Sequence, residues 1–296
     1  MMEIGVILPS VAAQLEQGLD LRDAARHAEA AGLDGVWMGD HLATGMSTLD
    51  SVAGLATAAA VTERVRIGTS VFVPAIRPLA WAAKQLASLQ HLSGGRLVLG
   101  VGSGGGAAQW AAAGVPFTER GRRTDLALEL LPELLAGKPV RFAHEPGAPV
   151  VQLAPAVRSP LIWVGNDSAV ARRRAARFGD GWFPSLIPVD EVVRGRGQLA
   201  ELAGEYERPL PTVTVGGVVS FGGTSAADLA EQIAGGYGMA IERARRVPIT
   251  GTPDDAADRF AEYAAAGVGH LVLGIGGGDW REQVDRLAQA RRLLLG

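Results

Sequence analysis

The pair Asp40-His41 follows the apolar run GVWM after a single glycine, in the segment GVWMGDH. An imidazole fixed there could give or take a proton near neutral pH, and the neighbouring carboxylate could orient a ring or bind a ligand. The plainer alternative is a solvated loop, with the aspartate capping a later helix. Adjacent strand residues face opposite ways, so both side chains reach one pocket only if the chain turns at Gly39, which a glycine permits. Three further segments could hold a ligand. In RVRIGTSVFVP, Thr69 and Ser70 interrupt a β-branched run, although Thr is also an ordinary strand former. In GVGSGGG, the glycines around Ser103 and Gly104 would let a flat ring or a phosphate come close to the backbone, or would simply make a flexible loop. In WVGNDSAVARRR, the run Gly165, Asn166, Asp167, Ser168 leads straight from an apolar strand into a helix. Asn, Asp and Ser are good N-caps, and a helix N-terminus with free N–H groups is also an anion site. The arginines that follow (Arg172, Arg173, Arg174) point in different directions on a helix, so at most two of them can face one phosphate.

Other chemistries lack their residues. His27, His91, His144 and His270 fall in helices, a hairpin region and the start of a strand, and read as structural. No H-E-x-x-H, G-x-S-x-G or phosphate-loop pattern occurs. The chain has no cysteine, which removes disulfides, thiolate metal sites and a cysteine nucleophile.

The elements that must position these residues repeat. β-rich runs begin at Glu3, Asp34, Val65 and Arg96, roughly 30 residues apart, the length of a strand, a helix and two short loops. Helical patterns over 19–31, 48–61 and 79–92 separate them. The apolar runs are continuous, as suits a parallel sheet covered on both faces. The second half predicts helices over 122–135, 168–178, 189–205, 226–244, 253–266 and 280–294, and a small hairpin within 138–159 (VRFA, VVQL). Its further strands are PLIWVG, GDGWFP, TVTVGGVVSF and HLVLGI. Eight strands and no glycine cluster after the first one favour a (β/α)8 TIM barrel over an open doubly wound sheet. No linker-like shift in composition divides 1–296 into two domains. In such a barrel the C-terminal ends of the strands carry the site, and all four segments above lie there.

The 296 residues fit one α/β barrel, and 48% hydrophobic residues supply its core. The net charge of −3, from 28 basic and 31 acidic residues without a long basic run, lacks the footprint of a nucleic-acid binder. No apolar window approaches the ~20 residues of a membrane helix, and the start MMEIGVILP is not a secretory signal. A cytoplasmic protein acting on a small molecule is the simplest reading.

The segments EIGVILP, AEAAGLDGVWMGDH, RVRIGTSVFVP, KQLASLQHLSGGRLVLGVGSG, PLIWVGN, ARRRAARFGDGWFP and GTPDDAADRFAEYAAAGV, in this order and spacing, resemble the luciferase-like monooxygenase superfamily. Within it they resemble the branch that uses the deazaflavin coenzyme F420. The resemblance implies a luciferase-like barrel and a hydride-transfer enzyme in which His41 donates a proton or stabilises charge beside the ring and Asp40 lies next to it. It implies a non-proline cis bond at Ser70–Val71 that backs the ring. Ser103 and Gly104 would touch the ring, and Gly165, Asn166, Asp167 and Ser168 would cradle a phosphate. A homodimer is a further implication. The alternatives are an FMN-dependent monooxygenase and a non-catalytic flavin- or deazaflavin-binding barrel. Two departures stand out. Many relatives have an aromatic-Asn-Glu run where this chain has Gly105-Gly106-Ala107, and the tryptophan of the family's glucose-6-phosphate dehydrogenase is replaced within Ala43-Thr44-Gly45. Both argue against sugar-phosphate oxidation. The expectations are an anion at the backbone of 166–168, a cis bond or bulge at Ser70–Val71, and His41 lining the largest pocket at the strand C-termini.

Overall fold

The computed structural model describes residues 2–45 and 47–296. In chain order the elements are β1 (Glu3–Ile7), α1 (Val11–Gln17), α2 (Leu21–Ala31), β2 (Gly35–Met38), α3 (Ser51–Val61), β3 (Arg66–Phe72), α4 (Leu79–Leu92), β4 (Leu97–Val101), α5 (Ala107–Ala112) and α6 (Arg120–Leu135). The hairpin strands β5 (Val140–Arg141) and β6 (Val150–Val151) follow, then β7 (Leu161–Gly165), α7 (Ala169–Phe178), β8 (Gly181–Phe183), α8 (Val189–Glu205) and β9 (Thr212–Ser220). The chain ends with α9 (Ala226–Tyr237), α10 (Ile241–Ala244), β10 (Ile249–Thr250), α11 (Pro253–Ala265), β11 (Val268–Ile275) and α12 (Trp280–Leu295).

Eight parallel strands lie in the order β9-β11-β1-β2-β3-β4-β7-β8, and β8 pairs back to β9, so the sheet closes into a (β/α)8 barrel. The hairpin β5–β6 is antiparallel and stands apart from it. Helix boundaries follow local chemistry. Asp20, Asp50, Ser168, Ser225 and Asp279 each cap a helix through a side-chain oxygen, and Thr252 with Asp255 forms a capping box. α2 buries Leu21, Ala24, Ala25 and Ala28, the one-face spacing of an amphipathic helix.

Two expectations about elements are corrected. The helix expected over 226–244 breaks in two: Gly238, at φ 62°, caps α9 and returns its N–H to Ala234 before α10 restarts. The short helices α1 and α5 were not expected; α1 buries no residue and α5 buries only Trp110, so neither has an apolar stripe to signal it.

The barrel interior is unusual for its type. Such interiors are commonly filled by layers of branched side chains. Here two indoles lie at its centre: Trp37 and Trp163 stack at 5.3 Å and 18°, with Phe183 and His270 packed edge-on to both. Glycines make the room. A Cβ at Gly68 would lie 2.1 Å from the Trp37 ring, and one at Gly181 would lie 2.5 Å from that of Trp163.

Below the indoles, at the N-terminal end, Glu3 accepts 2.8 Å bonds from Arg66 Nε and Nη2 and lies 3.0 Å from His270 Nδ1. His270 is therefore a structural residue at the end away from the strand C-termini. The hydrogen bond from His270, followed by that from Arg66, outweighs burial and lowers the Glu3 carboxyl from 4.5 to about 2. A lowered carboxyl stabilises the fold above its unfolded value and loses that contribution as pH falls through its folded value. We therefore expect Glu3→Gln to cost about 1 kcal/mol at pH 7, allowing for the partial exposure of Glu3. In urea melts, the gap from wild type should close between pH 4.5 and about 2. A gap that does not change with pH would remove the carboxylate as its cause.

Candidate functional site

Above the indoles, at the C-terminal end, the inward positions include Ile7, Val71, Ser185 and five glycines: Gly39, Gly102, Gly165, Gly216 and Gly274. Ile7 and Val71 pack on the Trp37–Trp163 cluster, Gly216 pairs in register with the inward Val272, and Ser185 bridges to Gly216. A ring of small residues leaves a cup.

The Ser70–Val71 peptide is cis, and the β3–β4 pairing shifts register between Thr69 and Phe72. The expected bond and the expected irregularity thus occur together. Val71 Cγ2 lies 2.3 Å from where a Cβ of Gly102 would be, and Cγ1 lies 2.9 Å from that of Gly165. Only glycine at these positions admits the valine.

Asp40 and His41 part company. The Asp40 carboxylate accepts from Val73 N at 2.9 Å, from Arg77 Nη1 and Nη2 at 2.9 and 3.0 Å, and from Ser51 Oγ at 3.2 Å. Its side chain is 5% exposed. It ties the end of β2 to the chain just after the cis peptide and faces its own protein's donors. His41 is exposed, and its ring folds over Gly39: a Cβ there would be 2.8 Å from His41 Nε2 and 3.5 Å from the Ser70 carbonyl oxygen.

A cavity of about 310 Å³ opens beside the cup, between β4 and β7. Ser103, Gly104, Gly165, Asn166 and Ser168 line it together with Arg120 and Arg174. His41 is not among its lining residues, which corrects the expectation for that side chain; the turn at Gly39 carries it to the β2–β3 side of the mouth instead. A larger cavity, about 650 Å³, lies at the opposite end, around Glu3, Arg66 and Arg96. Its Arg66 is held by Glu3, and Arg96 donates to the carbonyls of Ala59, Thr62 and Val65. The N-terminal face of a barrel serves stability, so we place the site at the smaller cavity.

The turn after β7 is built by its own side chains. Asn166, at φ 83°, accepts Ser168 N on Oδ1 at 2.9 Å, and its carbonyl accepts Trp182 Nε1 at 3.0 Å. Ser168 Oγ accepts Ala171 N. The Ser168 amide is thus occupied, which leaves the Ala169 and Val170 amides of the first turn of α7 as orphan donors for an anion. Asp167 turns away from the cavity to Arg172 at 2.5 Å and Arg243 at 3.9 Å. Burial nevertheless holds its carboxyl above the ordinary range. Of the three consecutive arginines only Arg174 lines the cavity, anchored by Asp125 at 2.7 Å and by the Gly121 carbonyl. Arg120 donates to the Phe117 carbonyl and lies 4.0 Å over its ring, with further N–H groups to spare. Arg120 was not among the residues expected from sequence, because nothing in VPFTERGRR marks one arginine over its neighbours.

The arrangement is that of a (β/α)8 barrel with a glycine-walled cup at its C-terminal face and, at its rim, a cavity lined by two arginines and the turn after β7. The sequence matches the luciferase-like monooxygenase family over residues 2–246, and the chain belongs to that family. It is similar to uncharacterized proteins of Mycobacterium bovis and Mycobacterium tuberculosis, 37% identical over 154 residues, or 51% of this chain. The match spans 53% of the length of those relatives. It is also similar to the F420-dependent glucose-6-phosphate dehydrogenase of Amycolatopsis mediterranei, at 28% identity over 86% of this chain and 87% of that one. Among solved structures, an F420-dependent secondary alcohol dehydrogenase in complex with an F420-acetone adduct superposes with a TM-score of 0.81 at 18% identity, covering 99% of both chains. That likeness establishes the fold. No helix among the described residues is long and apolar enough to cross a membrane.

Proposed function

We propose that this chain is an oxidoreductase that binds the deazaflavin coenzyme F420 and transfers hydride to or from an organic substrate. The observation that carries the reading is the junction of the two spaces: the Val71 cup opens beside a cavity whose polar lining suits a phosphate. The residues fit such a cofactor. Val71 offers a flat apolar wall. Ser103, Gly104 and Gly165 let a ring and its chain approach the backbone. Arg120, Arg174 and the first turn of α7 supply donors for a phosphate. The names of the relatives point the same way.

When bound, the deazaflavin supplies the redox step, and the protein supplies orientation and proton handling. Asp40 positions the segment that carries Val71 by gripping Val73 N and Arg77. Asp167 stiffens the phosphate turn through Arg172, and so acts through structure rather than by contact. His41 Nε2 gives or takes the proton that accompanies hydride transfer. The chain lacks a carboxylate in the Gly105-Gly106 loop that could share this task.

Titration of the purified protein with F420 and with FMN, read by cofactor fluorescence, tests the assignment. F420 should bind the more tightly, and Arg120→Ala should weaken it by about 10-fold or more, as expected for a charge-assisted bond to phosphate. Tighter binding of FMN would replace this reading with a flavin-dependent monooxygenase. Unchanged F420 affinity in Arg120→Ala would place the phosphate elsewhere.

A further inference from the structure

The inward glycines of the cup are not equivalent. The spaces over Gly102 and Gly165 are taken by Val71, that over Gly39 by His41, and that over Gly216 by Ser185, whose Oγ lies 2.6 Å from a Cβ built there. Over Gly274 nothing intrudes: the nearest atoms to a Cβ, Ile7 Cδ1 and the Gly217 carbonyl oxygen, are 3.8 Å away. Gly274 is partly exposed, so the space opens to solvent. It lies on the β9–β11–β1 arc, across the mouth from the β3–β4–β7 arc that forms the cofactor wall.

The strands that flank this arc, β8 and β2, lead into polar groups. β2 and β8 are four strands apart whichever way the barrel is followed, so His41 and Ser185 face each other across the mouth. Ser185 is exposed, and its hydroxyl makes no hydrogen bond to any described residue. None of these inward positions carries a charge, and the nearby Asp40 and Asp167 are already paired with arginines.

We propose that the vacancy over Gly274, bordered by Ile7 and with Ser185 beyond it on the far side of β9, is the substrate subsite, and that it takes an uncharged, largely apolar organic molecule whose polar group is held by the Ser185 hydroxyl. This rests on the cofactor reading above, because it needs the opposite arc to be the cofactor's. An anionic substrate would bring a charge into the cup where no permanently charged side chain meets it and only a protonated His41 could, at the cost of its hydration. The absence of a side chain at 274 sets the size of the substrate.

The test uses cyclohexanone and cyclohexanecarboxylate, which share a ring and differ in charge, added to the F420-loaded protein and read by the fluorescence of the bound cofactor. The ketone should give a saturable change at a concentration at least ~10-fold lower than the carboxylate, in line with the cost of an unpaired charge. Gly274 does not adopt a positive φ, so Gly274→Val should fold as a strand residue. Its added methyl groups should weaken the ketone response about 10-fold or more, leaving F420 affinity within about twofold. Ser185→Ala should weaken the ketone response about 2- to 10-fold, the worth of one hydrogen bond. Equal response to the carboxylate, no response to the ketone, or an unaltered response in Gly274→Val would each overturn the subsite. So would a loss of F420 affinity in Gly274→Val, which would assign the space to the cofactor. A wild-type protein that binds neither F420 nor FMN would overturn the cofactor reading and this inference with it, whereas cofactor binding without ketone discrimination overturns the subsite alone.

Discussion

Replacing His41 with alanine is expected to lower turnover by about 10²–10⁴-fold, the usual worth of a general acid or base. Cofactor affinity should change by no more than a few-fold, because the ring of His41 lies outside the phosphate cavity. Asp40 is committed to Arg77, Val73 and Ser51, and Asp167 to Arg172, so neither is free to take a proton from a substrate. His41 is exposed at the mouth and held over Gly39 beside the Ser70 carbonyl. Gly39 matters as much as the histidine, since a Cβ there would strike Nε2 and turn the ring away. Once a substrate is in hand, steady-state and single-turnover rates of the His41→Ala protein decide the matter. Turnover equal to wild type would leave His41 as a solvated loop residue.

The second large effect falls on stability. Gly68→Ala should destabilise the protein by about 3 kcal/mol or more, at or above the usual cost of overpacking, and lower the melting temperature by roughly 5–10 °C. The new methyl would sit 2.1 and 2.3 Å from Trp37 Cε3 and Cζ3. Trp37 cannot yield, because Trp163 stacks on one face and Phe183 and His270 abut its edges. Shrinking the indole in a Trp37→Phe background should recover part of the loss, which distinguishes a steric clash from lost strand propensity. A loss of less than about 0.5 kcal/mol in the single variant would mean that the interior relaxes more readily than close packing allows.

The barrel was legible in the sequence because its repeat is encoded locally. The starts at Glu3, Asp34, Val65 and Arg96 and the cap at Gly32 need no tertiary information, and α4 runs over the residues expected for it. The split between α9 and α10 was less visible, since the small residues around Gly238 suit either a helix or a turn until the backbone fixes φ. At the site, position along the chain identified Asp40-His41 and the GNDS turn, but not where each side chain faces. Asp40 found Arg77, which lies beyond β3, and Asp167 found Arg243, which lies beyond α9. Pairings over such separations leave no local pattern. Ser185 and Gly274 were missed for a related reason: a glycine matters here for the space above it, and that space depends on which neighbour leans into it.

The barrel is not closed with equal strength all round. β9 and β11 pair from Val213 to Val219 with one register shift between Val268 and His270, whereas β8 meets β9 at Gly181–Thr212 and Trp182–Val213, and again at the Ser185–Gly216 bridge. Pro184 supplies a carbonyl to this junction but has no N–H to give it. This interrupted seam, two paired residues and then a single bridge, lies next to Ser185. Local opening between β8 and β9 would widen the rim on the β8–β9 side without disturbing the Asp40–Arg77 tie or the cis segment on the far side.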